Sequence, residues 1–190
     1  MNVKKAAGIV SLALLFAAGV AGGYLYFAKV IPSRNQPVEQ TAAGPPETAV
    51  LFSARIYYPV GDRLQMEERG LPRKSGQIGI AEAVVQEYLK GLKGLTGEEM
   101  SAVPRGGRVL GLYKGADGIL YVNLSDEVRR NFQGDVFTEY LLLKGLYETL
   151  VSNVEDVQDV KVIIEGKEVE TLGGHLYLLY PLKDMVSYGY

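Results

Sequence analysis

The sequence predicts an α+β fold whose strands and helices follow one another as β-α-β-β-α-β, after an N-terminal transmembrane helix. Three observations predict it. Short segments rich in β-branched and aromatic residues are typical of strands. Two longer segments repeat apolar residues at helical spacing. An uncharged apolar run, residues 6–28, is long enough to span a bilayer. We expect one mixed sheet with both helices on one face, which leaves the other face partly open.

The apolar run of residues 6–28 predicts a signal-anchor helix that crosses a hydrocarbon core of roughly 30 Å. Lys4 and Lys5 precede it, so the positive-inside tendency places residues 1–5 in the cytoplasm and the rest of the chain outside. A cleaved signal peptide is the alternative, because "AGVAGG" offers small residues, but the run is longer than a typical signal core. Without a cysteine, lipid attachment is excluded.

Residues 29–48 predict a flexible linker, and residues 49–190 predict the folded domain. The linker, "KVIPSRNQPVEQTAAGPPET", combines Pro, Gly, Ser, Thr and Gln without an apolar period. A segment of this composition would hold the domain a modest distance from the bilayer.

The composition excludes several classes of function. The chain has 190 residues, no cysteine and one histidine. These counts exclude a disulfide framework, a thiolate zinc site, a cysteine nucleophile and a multi-histidine metal site. Apart from the three basic residues that flank the apolar run, the chain holds 17 basic and 22 acidic residues, so acidic residues are in excess. We expect no nucleic-acid partner, because phosphate neutralisation supplies most of that affinity.

The first half of the domain predicts a strand, a polar connector and a helix. The strand covers Ala49–Val60 and ends at Pro59 and Gly61. The connector reads "GDRLQMEERGLPRKS". Apolar residues recur at helical spacing in "GQIGIAEAVVQEYLKGLKG", with Ser75 as a candidate N-cap and Gly94 as a candidate stop.

The second half predicts a hairpin, a helix and two strands. The hairpin "RVLGLYKGADGILYVNLS" turns at residues 116–118, and Leu110 and Leu112 are expected to share one face with the apolar residues of its second strand. The helix "DVFTEYLLLKGLYETLVSNV" has Asp135 as candidate N-cap. "VQDVKVIIEG" predicts a strand with alternate residues facing one way. A turn at "EGKE" then leads into a short final strand, "VETL".

His175 is the first residue to consider for chemistry, because it is the one histidine of the chain. A catalytic histidine needs a nucleophile or a carboxylate partner nearby in space. His175 follows Gly173 and Gly174, and glycines permit positive φ angles. We interpret the pattern as a tight turn in which His175 bonds a backbone group, so its role is structural rather than catalytic.

Two pairs of adjacent carboxylates, Glu98–Glu99 and Asp126–Glu127, raise the possibility of a hydrolase that acts on the cell wall. Adjacent carboxylates point in different directions on most backbones, which makes them poor acid–base pairs. Asp126 and Glu127 are expected to start a helical turn after Ser125. Gly106–Gly107 lies between two arginines without the strand, lysine and helix of a phosphate loop, and predicts a turn. We therefore predict no catalytic, cofactor-binding or metal-binding residue, and no cofactor.

The C-terminal segment "YLLYPLKDMVSYGY" holds four tyrosines, at positions 177, 180, 188 and 190. Two interpretations stay open. The segment packs over part of the sheet, or its tyrosines form an aromatic contact patch of the kind favoured at protein interfaces.

Four stretches follow in an order that resembles a known family. They are "ARIYYPVGDRLQMEER", "AVPRGGRVLGLYKGADGILYVNLSDE", "YLLLKGLYETLVSNV" and "VKVIIEGKEVETLGGHLYLLYPL". Together, over roughly residues 50–182, they resemble the GerMN domain of sporulation and spore germination proteins. The resemblance implies a bacterial domain, anchored by a helix or a lipid, that faces outside the cytoplasm and is not established as an enzyme. The sporulation member has two domains in tandem, whereas this sequence has one and no lipidation cysteine.

The resemblance therefore implies an envelope interaction domain rather than spore germination itself. We expect a non-enzymatic, single-pass protein of the cytoplasmic (inner) membrane, with its domain on the periplasmic or extracytoplasmic side. It would bind envelope proteins, or itself, through an open sheet face or an edge strand. The alternative is a peptidoglycan or glycan binder, which would need an exposed groove with aromatic platforms.

Overall fold

The computed structural model describes Phe16 and residues 19–24, 50–92 and 101–187. The chain divides into two compact units, Met1–Glu47 and Thr48–Tyr190. The secondary structure below belongs to the second unit, apart from the short helical stretch of the first.

In the first unit, Phe16 and residues 19–24 are helical. The remainder of the transmembrane helix predicted for residues 6–28 lies outside the described residues, as do the predicted cytoplasmic residues 1–5 and the predicted linker 29–48. Within the described part of the chain, no helix has the length and apolar character needed to cross a bilayer.

Strands β1 (Leu51–Val60) and β2 (Arg63–Pro72) form an antiparallel hairpin. Its two-residue turn begins at Gly61, whose φ of +57° suits the first position of a glycine-led hairpin turn. The predicted first strand is confirmed, but the predicted polar connector after it is wrong. Five of the ten residues of β2 are charged or polar, so they read as a loop by composition. Pairing with β1 makes them a strand.

Helix α1 covers Gly76–Tyr88. Ser75 precedes it in an extended conformation, as predicted for an N-cap, although its side chain makes no capping hydrogen bond. The helix ends well before the predicted stop at Gly94. Gly91, at a φ of +67°, donates its N–H to the carbonyl of Tyr88, and this turn closes the helix.

A second sheet joins β3 (Val109–Lys114), β4 (Ile119–Leu124) and β5 (Asp159–Ile164) in that order. β4 pairs antiparallel with β3 and parallel with β5, so the predicted mixed character is confirmed. The hairpin turns as predicted, and the Asp117 carboxylate accepts the N–H of Ile119 at 3.0 Å.

The face of β3 differs from the prediction at one residue. Leu112 pairs with Val122 and packs against the core, as expected. The register shifts between Val109 and Gly111, so Leu110 sits in a bulge and is 44% exposed. A bulge turns one residue out of the alternation, and this is why Leu110 leaves the face that the period of two predicts.

The long helix α3 covers Val136–Val151, and a single helical turn, α2 (Glu127–Arg130), precedes it. The predicted N-cap is confirmed: Asp135 Oδ1 accepts the N–H of Thr138 at 2.9 Å. α1, α3 and both sheets bury their apolar residues in one core. Its largest fully buried side chains include Tyr58, Tyr88, Ile56, Leu120, Leu124, Leu143 and Leu150.

The five strands form two sheets, so the prediction of one sheet is wrong. The reason lies at the outer edge of β1, where α3 takes the place of a further strand. Thr149 Oγ1 accepts the N–H of Tyr57 at 3.0 Å. Asn153 Oδ1 accepts the N–H of Arg55 at 3.0 Å, and its Nδ2 donates to the Arg55 carbonyl at 2.7 Å. Gly145 allows the close approach, because a Cβ there would lie 2.5 Å from the Tyr57 carbonyl oxygen.

After β5 the chain makes a turn at Glu165, whose φ is +50°, and Ile164 forms an isolated bridge with Lys167. The final strand predicted at "VETL" is wrong, because residues 169–172 form no strand. The N–H of Leu172 bonds a carboxylate on α3 instead of a neighbouring strand. The described chain ends with a short helix, α4 (Lys183–Ser187).

Candidate functional site

The one histidine lies in a loop that a buried carboxylate holds. Glu139, in the first turn of α3, is fully buried. Its Oε1 accepts the N–H groups of Leu172 at 3.1 Å and Gly173 at 2.8 Å. Its Oε2 accepts the N–H of His175 at 3.0 Å and lies 3.0 Å from Nδ1 of the same residue. Three backbone donors and one ring nitrogen therefore surround a single carboxylate.

This arrangement uses both oxygens of Glu139 for anchoring the loop. A carboxylate has about four acceptor positions, and here four contacts fill them. The turn interpretation of His175 is confirmed, but the predicted backbone partner of its ring is wrong, since the ring bonds a carboxylate. Gly174 has the expected positive φ, +98°. At position 173 a side chain would not fit, because a Cβ there would lie 2.3 Å from the Phe132 ring.

The His175–Glu139 pair resembles half of a catalytic arrangement, with an imidazole oriented by a carboxylate. Nδ1 faces Glu139, and the side chain is 38% exposed. Triad chemistry would also need a hydroxyl or thiol nucleophile bonded to the ring. Within the described part of the chain, the carboxylate of Glu139 is the side-chain partner that the structure gives this ring. The pair anchors the loop between β5 and α4.

Sequence reasoning missed Glu139. A signal for it exists, because Glu139 lies three and four residues before Leu142 and Leu143, which share the buried face of α3. A charged residue among buried leucines needs a compensating partner. The Gly-Gly turn that donates to it lies more than thirty residues later in the chain.

The carboxylates at positions 126 and 127 start α2, as predicted, and arginines surround them. Asp126 forms ion pairs with Arg129 and Arg130, and Glu127 pairs with Arg130 at 3.0 Å and with Arg108 at 3.6 Å. Hydrogen bonds from Ser125 and from the backbone, helped by the arginines, lower the pKa of Glu127 to about 2. A carboxyl group with so low a pKa is ionised near neutral pH, and it is therefore a poor proton donor.

The other carboxylate pair, Glu98–Glu99, lies outside the described residues. Gly106 and Gly107 form the turn that the sequence predicts, with Gly106 at a φ of +80°. A cleft of about 740 Å³ opens beside this turn, and its described lining contains two arginines but neither a carboxylate nor a histidine. Among the described residues, no group of three or more histidine, aspartate or glutamate side chains could hold a metal ion.

A pair of tyrosines marks the outer face of the second sheet. Tyr113 on β3 lies opposite Tyr121 on β4, and their rings stack with centroids 4.7 Å apart and planes within 4°. Tyr113 is 51% exposed. The next position in this row is Lys161 on β5, which is buried. Its ammonium group pairs with Glu168 at 2.9 Å and bonds the Leu179 carbonyl, so the C-terminal segment covers β5 and leaves Tyr113 exposed and Tyr121 half-buried.

The C-terminal segment packs against the domain, which confirms the first of the two interpretations that the sequence left open, and the contact patch stays a prediction. Four apolar residues pack into the core, namely Leu176, Leu178, Leu182 and Val186. Tyr177 and Tyr180 point outward, at 54% and 71% exposure, with their ring centroids 6.1 Å apart. Tyr188 and Tyr190 lie outside the described residues. The aliphatic side chains therefore do the packing, and two of the tyrosines remain available for contact.

The chain matches a family model, Germane, described as "Sporulation and spore germination", over residues 55–170. The match covers more than half of the sequence. The chain belongs to this family. The predicted GerMN-type domain is therefore confirmed. A search of the curated proteins found no match.

Solved structures are also similar to the chain. The first GerMN domain of the sporulation protein GerM from Bacillus subtilis is 16% identical, with a TM-score of 0.53 over 68% of this chain and 94% of that one. The tandem GerMN domains of the same protein are 17% identical, with a TM-score of 0.51 over 71% of this chain. This chain covers 48% of that tandem, about half. A candidate lipoprotein from Clostridium perfringens is 18% identical, with a TM-score of 0.49 over 69% and 86%. The two GerM likenesses show the fold.

Proposed function

We propose that the chain is a single-pass protein of the cytoplasmic (inner) membrane whose GerMN domain binds other envelope proteins without catalysing a reaction. The apolar run of residues 6–28 would anchor it, with the domain on the periplasmic or extracytoplasmic side. The family match supports the resemblance to GerMN proteins, and that resemblance implies a place in the bacterial envelope. The binding face would be the outer face of β3 and β4.

The stacked pair of the exposed Tyr113 and the half-buried Tyr121 is the observation that carries this proposal. Tyrosines are enriched in protein interfaces, because a ring offers a large rigid apolar surface and its hydroxyl a hydrogen bond. The stack fixes both rings before binding, so little side-chain entropy is lost when a partner covers them. A pair held in this way on the face of a sheet suits contact with a protein surface.

Photo-crosslinking in cells tests the proposal. A photoreactive residue is placed at Tyr113, and a matched one at Asp62, an exposed residue in the β1–β2 turn. We expect the first to capture one or a few specific envelope proteins, or the chain itself, and the second to capture far less. Crosslinks from Tyr113 only to wall fragments, or to nothing, would contradict an interaction module.

The alternative function, binding of peptidoglycan or another glycan, is supported by the second tyrosine pair. Tyr177 and Tyr180 are exposed and tilted by 45°, and exposed rings offer apolar faces to sugar C–H groups. Purified sacculi, sedimented with the full chain in detergent, test it. Binding that is lost in a Tyr177→Ala, Tyr180→Ala variant and kept in Tyr113→Ala would support glycan recognition. Complete recovery of the chain in the supernatant would exclude it.

A further inference from the structure

The strand edges of the domain are not closed in the same way. The outer edge of β1 bonds Thr149 of α3 and Asn153, two residues after the end of this helix. Along β5, Val160 accepts the N–H of Leu182 at 2.8 Å, and the Asp159 carboxylate accepts the N–H of Lys183 at 2.8 Å. In contrast to these two edges, the outer edges of β2 and β3 have no strand beside them among the described residues.

β2 carries the features that protect a free edge. Its sequence, "RLQMEERGLP", places four charged side chains, a glycine and a proline on one strand. Charges and proline on an edge strand discourage pairing with another chain. β3 reads "VLGLYK", with a single charge at its end. The edge of β3 therefore lacks the protection that β2 has.

The pairing of β3 with β4 determines which backbone groups face outward. Gly115 donates its N–H to the Ile119 carbonyl at 2.9 Å, and an antiparallel ladder alternates between bonded and non-bonded pairs from there. The backbone groups of Leu112 and Lys114 consequently point away from β4. Among the described residues, none bonds them. Within the described ranges, this edge therefore has unbonded donors and acceptors for an added strand.

The side chains along this edge also suit an incoming backbone. Gly111 has open space where a Cβ would stand, and a glycine inside a strand often marks the close approach of another backbone. Leu110 and Tyr113 beside it are 44% and 51% exposed. Cationic residues flank this apolar centre, with Lys114 at its end and Arg108 before the strand; Arg108 lies 3.6 Å from Glu127, and its side chain is 69% exposed.

We propose that the outer edge of β3 binds an extended strand of a partner protein whose apolar centre is flanked by acidic residues. Main-chain hydrogen bonds would supply affinity, as in other strand-addition complexes, and the two cations would select acidic flanks. The proposal rests on the proposed function and names the class of partner segment. A second copy fits poorly, because antiparallel pairing centred on Gly111 would set Arg108 opposite Lys114, and like charges opposite one another destabilise.

Two synthetic heptapeptides test the proposal on the full chain in detergent micelles. Both have blocked ends and the centre Val-Thr-Val-Thr-Val, and one is flanked by glutamate and the other by lysine. We expect the acidic peptide to bind at least about tenfold more tightly, because two favourable charge contacts replace two unfavourable ones. Hydrogen exchange should slow at the amides of Leu112 and Lys114 when the acidic peptide binds.

Three variants locate the contact. Lys114→Pro removes an outward N–H and a charge without touching the bonds to β4, and should weaken acidic-peptide binding about tenfold or more. Lys114→Gln keeps the N–H and should weaken it only a fewfold. Lys167→Gln, which removes an exposed lysine elsewhere, should leave it unchanged. Circular dichroism verifies that each variant is folded. If the proline variant does not fold, Lys114→Gln still tests the contact.

Equal affinity for both peptides, no binding of either, or protection only outside β3 would overturn the proposal. Self-association of the chain that Lys114→Pro abolishes would also overturn it, because the occupant would then be a second copy. A different result would overturn the proposed function itself, namely that the photoreactive residue at position 113 captures no protein in cells. Specific crosslinks in cells without any acidic-peptide preference would remove only the edge-binding inference.

Discussion

Helix α3 and strand β3 show two treatments of backbone groups at the boundary of a sheet. Thr149 of α3 and Asn153 just after this helix bond the outer edge of β1, and Glu139 of α3 bonds the loop at residues 172–175. The outer edge of β3 receives no such bonds from the described residues. The bonds that close β1 at Tyr57 and the loop at Leu172 lie in half-buried or buried surroundings, whereas Lys114 at the open edge is exposed.

The difference indicates that these two regions serve different purposes. A backbone group that is buried must be satisfied within the chain, because its unpaired state costs about as much as a lost hydrogen bond. A solvent-exposed backbone group bonds water, so it carries no such cost when it has no partner in the protein. Substitutions at the closed places should therefore cost stability, while substitutions at the open edge should cost binding.

The largest effect is expected at Glu139. Glu139→Ala leaves the buried N–H groups of its loop unsatisfied, and should lower the free energy of unfolding by about 3–5 kcal/mol. Urea unfolding measures it. Glu148→Ala on the same helix, whose side chain is half-exposed, is the control and should change stability by less than about 0.5 kcal/mol. Equal losses in the two variants would show that Glu139 does not anchor the loop.

The next effect appears at alkaline pH. Burial raises the pKa of Tyr58 on β1 from 10.0 to about 12, and burial also raises the pKa of Tyr88 well above 10.0. A pKa raised by folding favours the protonated tyrosine in the folded chain. The resulting stability is complete below pH 10 and is lost as pH rises toward 12. Urea unfolding across this range should show the fall, and Tyr88→Phe should make it shallower. An unchanged slope in that variant would contradict a role for Tyr88.

A smaller effect is expected at Thr149, which closes the edge of β1. Thr149→Val keeps the shape but removes the acceptor for the Tyr57 N–H, at a cost of about 1–3 kcal/mol. Thr149→Ser keeps the hydroxyl and loses one methyl group, for about 1 kcal/mol or less. Urea unfolding compares the two variants. If valine were tolerated as well as serine, the hydrogen bond to β1 would not matter for stability.

The smallest effect on stability is expected at the open edge. Lys114→Pro should lower the free energy of unfolding by less than about 0.5 kcal/mol, because its N–H points away from β4. Tyr121→Pro in the central strand should cost about 3 kcal/mol or more, because proline removes a ladder bond there. Thermal unfolding distinguishes the two. A large loss in Lys114→Pro would mean that the edge of β3 is not free.

Local patterns in the sequence are enough to predict most of the elements. The hairpin around Asp117, the N-cap at Asp135 and both long helices follow from turn residues and helical periods that lie within one segment. β2 escaped prediction because its polar residues form a strand only through pairing with β1. The bulge at Leu110 also escaped, since an alternation of apolar residues does not show where an extra residue enters.

The site was predictable only in part, for the same reason. The glycines before His175 indicate a turn by themselves. The partner of that turn, Glu139, precedes it by more than thirty residues and becomes a partner only when α3 packs beneath the loop. The division into two sheets likewise depends on contacts between β1 and α3 that span more than ninety residues of sequence.

Gly145 and Thr149 of α3 and Asn153 just after it all meet β1, and they are spaced about one helical turn apart. They emerge late during synthesis. At roughly 5–20 residues per second, several seconds pass between the appearance of Arg55 and that of Asn153. Throughout that interval the first hairpin has an unprotected edge, which favours misassembly with neighbouring chains. Maturation of the N-terminal hairpin therefore depends on completion of α3, and truncation before Asn153 would leave the β1 edge permanently unprotected.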